Sequence, residues 1–211
     1  MKDSLRLLWV RHGETEANRL KQYCGHMDLP LNDRGRCQLR KAAQRLRELD
    51  VDRICASDLQ RCRETAKFMQ KAWPTADLHC TDALRELSFG EWEGLTYDAI
   101  WDQNPEELIR WIDDPRRVAP PGGETLDGLE VRLNRWLENV IRRHSGETIA
   151  VVTHGGPIRW FLSHHVDKDP GSFWKRSLPP GGWIAVEKTA EGWQVRQLGE
   201  ERGKRVWEKT E

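Results

Sequence analysis

The chain has 211 residues, 37% hydrophobic and 32% charged, which is enough apolar material for one core or at most two small ones. Its 34 Lys and Arg cancel its 34 Asp and Glu, so no global field draws it to nucleic acid or an anionic membrane, and a bound anion needs a local cluster of cations. No apolar run approaches the roughly 18 residues of a membrane span, and five Cys without C-x-x-C pairing point to free thiols in a reducing cytoplasm, not to disulfides or zinc.

Met1-Lys2-Asp3-Ser4 carries an acid ahead of a short apolar run with no cleavage-like site behind it, unlike a signal peptide. Leu5-Arg6-Leu7-Leu8-Trp9-Val10 predicts a first buried strand. Leu39, Ala42, Ala43, Leu46 and Leu49 then form one stripe of a helix over 35–49. Residues 51–56 predict a short strand, after which Ser57 or Asp58 caps a helix that reaches about Ala72 and stops before Pro74. Residues 89–123 hold four prolines (105, 115, 120, 121) together with Trp92, Trp101 and Trp111. They read as an insertion of short helices over one end of the sheet, because the sheet still needs the strand that follows. A helix over 126–143 precedes Thr148-Ile149-Ala150-Val151-Val152, a strand rich in β-branched residues. Another helix starts near Gly156-Pro157, where Pro suits the first turn. Two last strands, 183–187 and 193–198, are joined across 189–192. Strands separated by helices predict an α/β fold, a three-layer α/β/α sandwich with a mostly parallel central sheet and a short helical cap insertion, in a single domain over 1–211.

Two segments share a local design. The first strand runs into Arg11-His12-Gly13-Glu14-Thr15 and the late one into Thr153-His154-Gly155-Gly156, each placing a His between a strand and a Gly. Ligands of open α/β sheets bind at the carboxyl ends of parallel strands, where Gly lets backbone N–H groups approach and helix N-termini favour anions. A third strand leads into Ser57-Asp58-Leu59-Gln60-Arg61, so Arg11, His12, Arg61 and His154 can converge on one small anion. Each has a plainer reading: a strand-end His as a structural hydrogen-bonder, an Arg at a helix start as a solvated face. Spacing alone leaves an anion site and these readings evenly open.

Cys55-Ala56-Ser57-Asp58-Leu59-Gln60-Arg61 also satisfies the C-x5-R pattern of cysteine-dependent phosphatases. That loop wraps a phosphate with backbone N–H groups, yet here it lacks Gly and Asp58 would set a carboxylate against the anion. Cys55 therefore reads as a small buried hydrophobe. His164-His165 could suggest a metal pair, but adjacent helical residues point in different directions, so they read as a solvated helix end. The 11 Trp are core or interface anchors by default; Trp92, Trp101 and Trp111 could present an aromatic wall to the organic part of a substrate.

Arg11-His12-Gly13-Glu14-Thr15 with Asn18 resembles the signature of the histidine phosphatase superfamily, which includes the cofactor-dependent phosphoglycerate mutases. The resemblance continues in order through Gly25-His26-Met27-Asp28-Leu29-Pro30-Leu31, Ser57-Asp58-Leu59-Gln60-Arg61 with Glu64-Thr65-Ala66, Leu84-Arg85-Glu86-Leu87-Ser88-Phe89-Gly90-Glu91-Trp92-Glu93-Gly94, Pro121-Gly122-Gly123-Glu124-Thr125 and Thr153-His154-Gly155-Gly156. It implies that His12 is the nucleophile, attacking phosphorus as a neutral imidazole whose other nitrogen is held by an acceptor the sequence does not name. Arg11, Arg61 and His154 would neutralise the phosphoryl oxygens, and Asn18 would donate a hydrogen bond. Glu86 would protonate the leaving alkoxide and then take a proton from water, which requires it to be neutral at the first step, its pKa raised by burial or phosphate charge. Glu91 and Glu93 read as surface carboxylates.

The resemblance places Cys24, Gly25 and His26 in a loop near the substrate, with Gly155 beside it, and implies no metal or other cofactor. The Phe89–Gly94 run and the short insertion are more similar to the phosphatase than to the mutase branch. Within that branch, the 23–26 loop and the 87–97 segment are similar to α-ribazole-5′-phosphate phosphatases of cobalamin biosynthesis. The expected activity is a metal-independent phosphomonoesterase. Broad-specificity or fructose-2,6-bisphosphate phosphatase comes next, then phosphoglycerate mutase, with a non-catalytic phosphate-binding module as the different class. The expected partner is a small phosphorylated metabolite, not nucleic acid or a membrane; a homodimer is allowed but not indicated.

Overall fold

The computed structural model describes residues 4–199, so Met1-Lys2-Asp3 and Trp207 lie outside the described residues. Strand β1 (Arg6–Arg11) opens the fold and is followed by the short helix α1 (Glu16–Arg19) and by α2 (Asp33–Leu46). Strand β2 (Arg53–Ser57), helix α3 (Gln60–Gln70) and strand β3 (Asp77–Thr81) come next. Helices α4 (Tyr97–Gln103) and α5 (Pro105–Asp113) occupy the proline-rich region, and α6 (Leu126–Arg143) leads into β4 (Thr148–Thr153). Helix α7 (Gly155–Phe161) continues into a π-helical turn (Leu162–Val166) before the terminal hairpin of β5 (Trp183–Thr189) and β6 (Gly192–Leu198).

The six strands form one sheet in the order β3-β2-β4-β1-β5-β6. The first four run parallel, and β5 and β6 are antiparallel. Alternate side chains leave opposite faces of each strand. Leu8, Val10, Ile54, Ala56, Ala150 and Val152 pack with Leu39 and Leu46 of α2 and Ala66 and Met69 of α3. Leu7, Trp9, Cys55, Ile149 and Val151 pack with Leu133 and Leu137 of α6 and Ile158 and Phe161 of α7. Every residue of β4 is buried, because helices cover both faces, which is why Ile149 to Val152 form an unbroken apolar run between two threonines. This is the expected three-layer α/β/α sandwich.

Three details differ from the sequence reading. β3 is an edge strand with mostly exposed residues, so it has no apolar alternation to betray it. The cap of α3 is Leu59, which makes no side-chain bond. Ser57 ends β2, Asp58 instead pairs with Arg85 at 2.6 and 2.7 Å, and the Gln60 N–H donates to Asp28 from a remote loop. The His164-His165 pair is no solvated helix end: His165 packs 5.0 Å from Trp160 and 5.3 Å from Phe161, and burial pushes it down to about 4.

Trp92 and Trp111 do not form an open wall. They meet edge-on at 5.6 Å and are buried with Tyr23 and Phe89 in one aromatic cluster, leaving only Trp101 of the three exposed. All five cysteines are free thiols. Among the described residues, no helix is long and apolar enough to cross a membrane.

Candidate active site

β2, β4 and β1 are neighbours and parallel, so their carboxyl ends meet on one edge of the sheet. His12 follows β1 directly, and its N–H donates to the Thr153 carbonyl at 3.0 Å, continuing the β1–β4 ladder. His154 follows β4. The loop after β2 turns into α3 and sets Arg61 in that helix's first turn, its side chain fully buried. Cys55 lies further back in β2, in the opposite layer's core, and burial pushes its thiol up to about 11. The C-x5-R pattern is therefore an accident of strand and helix, as its composition indicated.

The His12 Nδ1–H donates to the carbonyl oxygen of the adjacent Gly13 at 2.7 Å, which assigns the proton to Nδ1 and leaves Nε2 with its lone pair. Burial and the Arg61 and Arg11 guanidiniums hold its pKa well below 6.5, so the ring is neutral. Gly13 is indispensable here, since a Cβ on it would fall 2.8 Å from the Gly35 carbonyl oxygen.

Arg61 donates from Nη2 to the Gly25 carbonyl at 2.6 Å, from Nη1 to that of Met27 at 2.8 Å, and from Nε to His154 Nδ1 at 3.2 Å. His154 Nε2 in turn bonds to Ser57 Oγ at 2.9 Å. Burial, Arg61 and His12 hold His154 well below 6.5, so it is a neutral hydrogen-bonding ring here and not the third cation the sequence suggests. Arg11 donates from Nη1 to the Leu178 carbonyl at 2.6 Å, while its buried Nε has no hydrogen-bond partner. Among the described residues neither Arg11 nor Arg61 is ion-paired with a carboxylate. Two largely buried guanidiniums without an ion-pair partner are costly even with Glu86 acting on Arg11 at longer range, and a dianion between them offsets that cost.

Glu86 reaches the same edge from the segment after β3. Its carboxylate accepts from the Leu87 N–H at 2.9 Å and from the Gly156 N–H at 3.0 and 3.1 Å. A Cβ on Gly156 would fall 2.1 Å from Glu86 Oε1, so the contact needs glycine there. The 24–27 loop closes another side. His26 Nε2 lies 3.1 Å from the Glu86 carbonyl oxygen, and Gly25 sits so close to the Leu87 carbonyl that a Cβ would fall 2.2 Å from it.

Asn18 accepts from the Thr15 N–H at 3.1 Å through Oδ1, completing a capping box on α1 and fixing its amide orientation so that Nδ2 is the end left to donate. Gly155 opens α7 beside the Arg11 guanidinium, whose carbon lies 3.5 Å from where a Cβ would be. Cys24 is tied only loosely, its Sγ 3.9 Å from the Met27 carbonyl oxygen.

Two residues that sequence reasoning missed hold this arrangement. Glu93 is not a surface carboxylate: it accepts from the backbone N–H groups of His26 (2.7 Å), Met27 and Phe89 (3.2 Å), clamping the loop that carries the Arg61 acceptors. Arg132 of α6 donates to the Glu86 carbonyl at 2.8 Å. Neither had a local signal; Glu93 sat inside the acid-bearing motif, which was the only available hint. Among the described residues, no group of three or more His, Cys, Asp or Glu is placed to hold a metal ion.

The sequence profile of the histidine phosphatase superfamily (branch 1) matches residues 7–201. Phosphoserine phosphatase 1 of Hydrogenobacter thermophilus is 32% identical over 170 residues, 81% of this chain and 80% of that protein. The adenosylcobalamin/alpha-ribazole phosphatase of Salmonella typhimurium is 28% identical over 203 residues, 96% of this chain and 98% of the relative. The crystal structure of the alpha-ribazole phosphatase from Shigella flexneri superposes with a TM-score of 0.85 at 26% identity, covering 92% of this chain and 96% of that one.

Proposed function

We propose a mechanism and a substrate for a chain that belongs to the histidine phosphatase superfamily and is a phosphoric monoester hydrolase. His12 Nε2 attacks phosphorus in line, and the P–O bond to the alkoxide breaks as Glu86 delivers a proton to the leaving oxygen. The phosphoryl group then rides on His12 Nε2, and the Gly13 carbonyl stabilises the proton on Nδ1 while the ring carries positive charge. Water attacks the phosphohistidine, Glu86 takes its proton, and the P–N bond breaks to release phosphate. Arg11 and Arg61 carry the positive charge that stabilises the transferring group, with Asn18 and the Gly155 N–H as further donors, while His154 accepts from Arg61 Nε and steadies that guanidinium. Cys24 and His26 border the organic part of the substrate.

One observation carries this reading: a neutral His12 with its Nδ1 held by Gly13 feels the charge of both Arg61 and Arg11, and neither guanidinium is ion-paired with a carboxylate among the described residues. Rapid quench with phosphorus-labelled substrate tests it. An acid-labile, alkali-stable phosphoenzyme that disappears in His12→Ala is expected, and label on any other residue overturns it.

For the substrate we infer α-ribazole 5′-phosphate, which would put the enzyme in the cytoplasm and in cobalamin biosynthesis. The near full-length likeness to alpha-ribazole phosphatases supports this. Phosphoserine is the second reading, favoured by the higher identity of the phosphoserine phosphatase relative. Base stacking on Trp92 or Trp111 is no longer an argument, since both are buried. The kcat/KM values for α-ribazole 5′-phosphate, phosphoserine, AMP, 3-phosphoglycerate and fructose 2,6-bisphosphate decide, and a tenfold win by any competitor removes α-ribazole 5′-phosphate.

A further inference from the structure

The run Pro121-Gly122-Gly123-Glu124-Thr125 belongs to the family resemblance, yet the chemistry above gives it no task. The geometry points to this run and Arg132 as the mount of the catalytic acid, with Arg132 a positioning residue that acts through the backbone of Glu86. The inference rests on the reading of Glu86 as the acid–base group.

The run lies directly against the acid-bearing segment. The Glu91 N–H donates to the Pro121 carbonyl and the Glu124 N–H to the Ser88 carbonyl, both at 2.9 Å. The approach is close enough that a Cβ on Gly90 would fall 2.1 Å from the Pro121 oxygen, and one on Gly123 2.7 Å from the Ser88 oxygen. Gly90 and Gly122 both have positive φ, at +53° and +66°, so the pairing depends on residues without a Cβ. Thr125 then turns the chain into α6 by accepting from the Gly128 N–H at 3.0 Å. That turn brings Arg132 back over the segment.

The Arg132 guanidinium uses both of its edges. Toward the glycine-rich run, Nε and Nη2 donate to the two oxygens of Glu124 at 2.9 and 3.0 Å, a planar bidentate pair that fixes the fork. Toward the acid, Nη2 donates to the Glu86 carbonyl at 2.8 Å and Nη1 to the Ala83 carbonyl at 2.9 Å. The two ends of the 83–86 turn are thus tied to one rigid group. Beyond that anchor, among the described residues the carboxylate of Glu86 is held by the Leu87 and Gly156 N–H groups. A general acid must sit within hydrogen-bond reach of the leaving oxygen, and a displacement of about 1 Å costs about 10²-fold in rate. Loss of Arg132 should therefore resemble a weak loss of Glu86.

The test measures Arg132→Met, Arg132→Lys and Glu124→Gln beside Glu86→Gln on phosphate esters ranging from alkyl to p-nitrophenyl. Inhibition by inorganic phosphate and thermal melting are recorded for each. Arg132→Met should lose about 10²-fold in kcat/KM on alkyl esters, yet keep its kcat/KM for p-nitrophenyl phosphate and its affinity for phosphate. The reason is that kcat/KM reports phosphorylation of His12 and excludes the later hydrolysis that all esters share. Arg132→Lys should recover part of the alkyl activity, and Glu124→Gln should show the same leaving-group signature more weakly. Equal losses of kcat/KM on all esters, or no loss, overturn the inference. If melting shows that Arg132→Met does not fold, the Lys and Gln variants decide by the same criterion. A Glu86→Gln enzyme without leaving-group dependence removes the acid reading and the inference together. One with that dependence, beside Arg132 and Glu124 variants without it, removes the inference alone.

Discussion

Arg61 Nε lies 3.2 Å from His154 Nδ1, so two groups delivered by different strand ends are bonded to each other inside the site. The bond has a direction. Guanidinium always donates, so His154 Nδ1 accepts, and its proton sits on Nε2 toward Ser57 Oγ at 2.9 Å. A second proton on this ring would face a buried cation, which explains why Arg61 follows burial as a cause of its lowered pKa. Burial and then the same guanidinium also depress His12, so Arg61 helps to keep both rings neutral.

The pH profile of catalysis should reflect this. The nucleophile has to be neutral, and its pKa is held well below 6.5 by burial and by Arg61 and Arg11. As pH falls through 6.5, kcat/KM should show no loss attributable to protonation of His12. A His12 ring that takes up a proton near 6.5 in an NMR titration would contradict the geometry.

Stability should depend on pH through the same rings. Below 6.5 the unfolded chain binds protons that the folded His12 and His154 refuse, so stability falls as pH drops from 6.5 toward their lowered folded values and rises in the opposite direction. Urea titrations across that window should show the slope, and His12→Asn or His154→Asn should flatten it. An unchanged slope in both variants would mean that neither ring is buried neutral.

Replacing Glu86 by Gln should leave phosphate binding intact and slow alkyl ester hydrolysis by roughly 10²–10⁴-fold, with a smaller penalty for p-nitrophenyl phosphate. Gly156→Ala should imitate it without touching the acid, because its Cβ would displace Glu86 Oε1, the free end of a flexible side chain, rather than backbone. A Gly156→Ala enzyme with normal alkyl ester kinetics would show that the Gly156 N–H contact does not position the acid.

Cys55→Ala should keep most of its activity. The thiol sits in the core beside Val151, and burial pushes its pKa up to about 11, so no thiolate is available at neutral pH. Loss of the phosphoenzyme in this variant, with the fold intact by circular dichroism, would restore the cysteine mechanism.

Exhaustive chelation should leave activity unchanged, since two guanidiniums supply the charge that a metal ion gives other phosphatases. A large loss with EDTA that Mg²⁺ or Zn²⁺ restores would reverse that expectation.

The sequence by itself determined the elements whose burial repeats locally. β4 is buried throughout because both of its faces are covered, which shows in the apolar run between its two threonines, and the Leu stripe of α6 follows the helical period, so both were legible with nearly their observed bounds. The convergence of His12, His154, Arg11 and Arg61 on one edge was also legible, because each stands at or next to the strand or helix end that delivers it, although spacing alone left their role there open. Glu86 was reached only through the family resemblance, since it follows an edge strand with no apolar alternation. Tertiary structure alone decided what steadies them. Glu93 clamps His26 from 67 residues away, and Arg132 holds Glu86 from 46. It also closed Trp92 and Trp111 into a core, where the sequence allowed either core anchors or an open aromatic wall. The physical reason is that periodicity records which face of an element is buried. A polar side chain bonded to remote backbone obeys no period, and its partner exists only after the chain has folded.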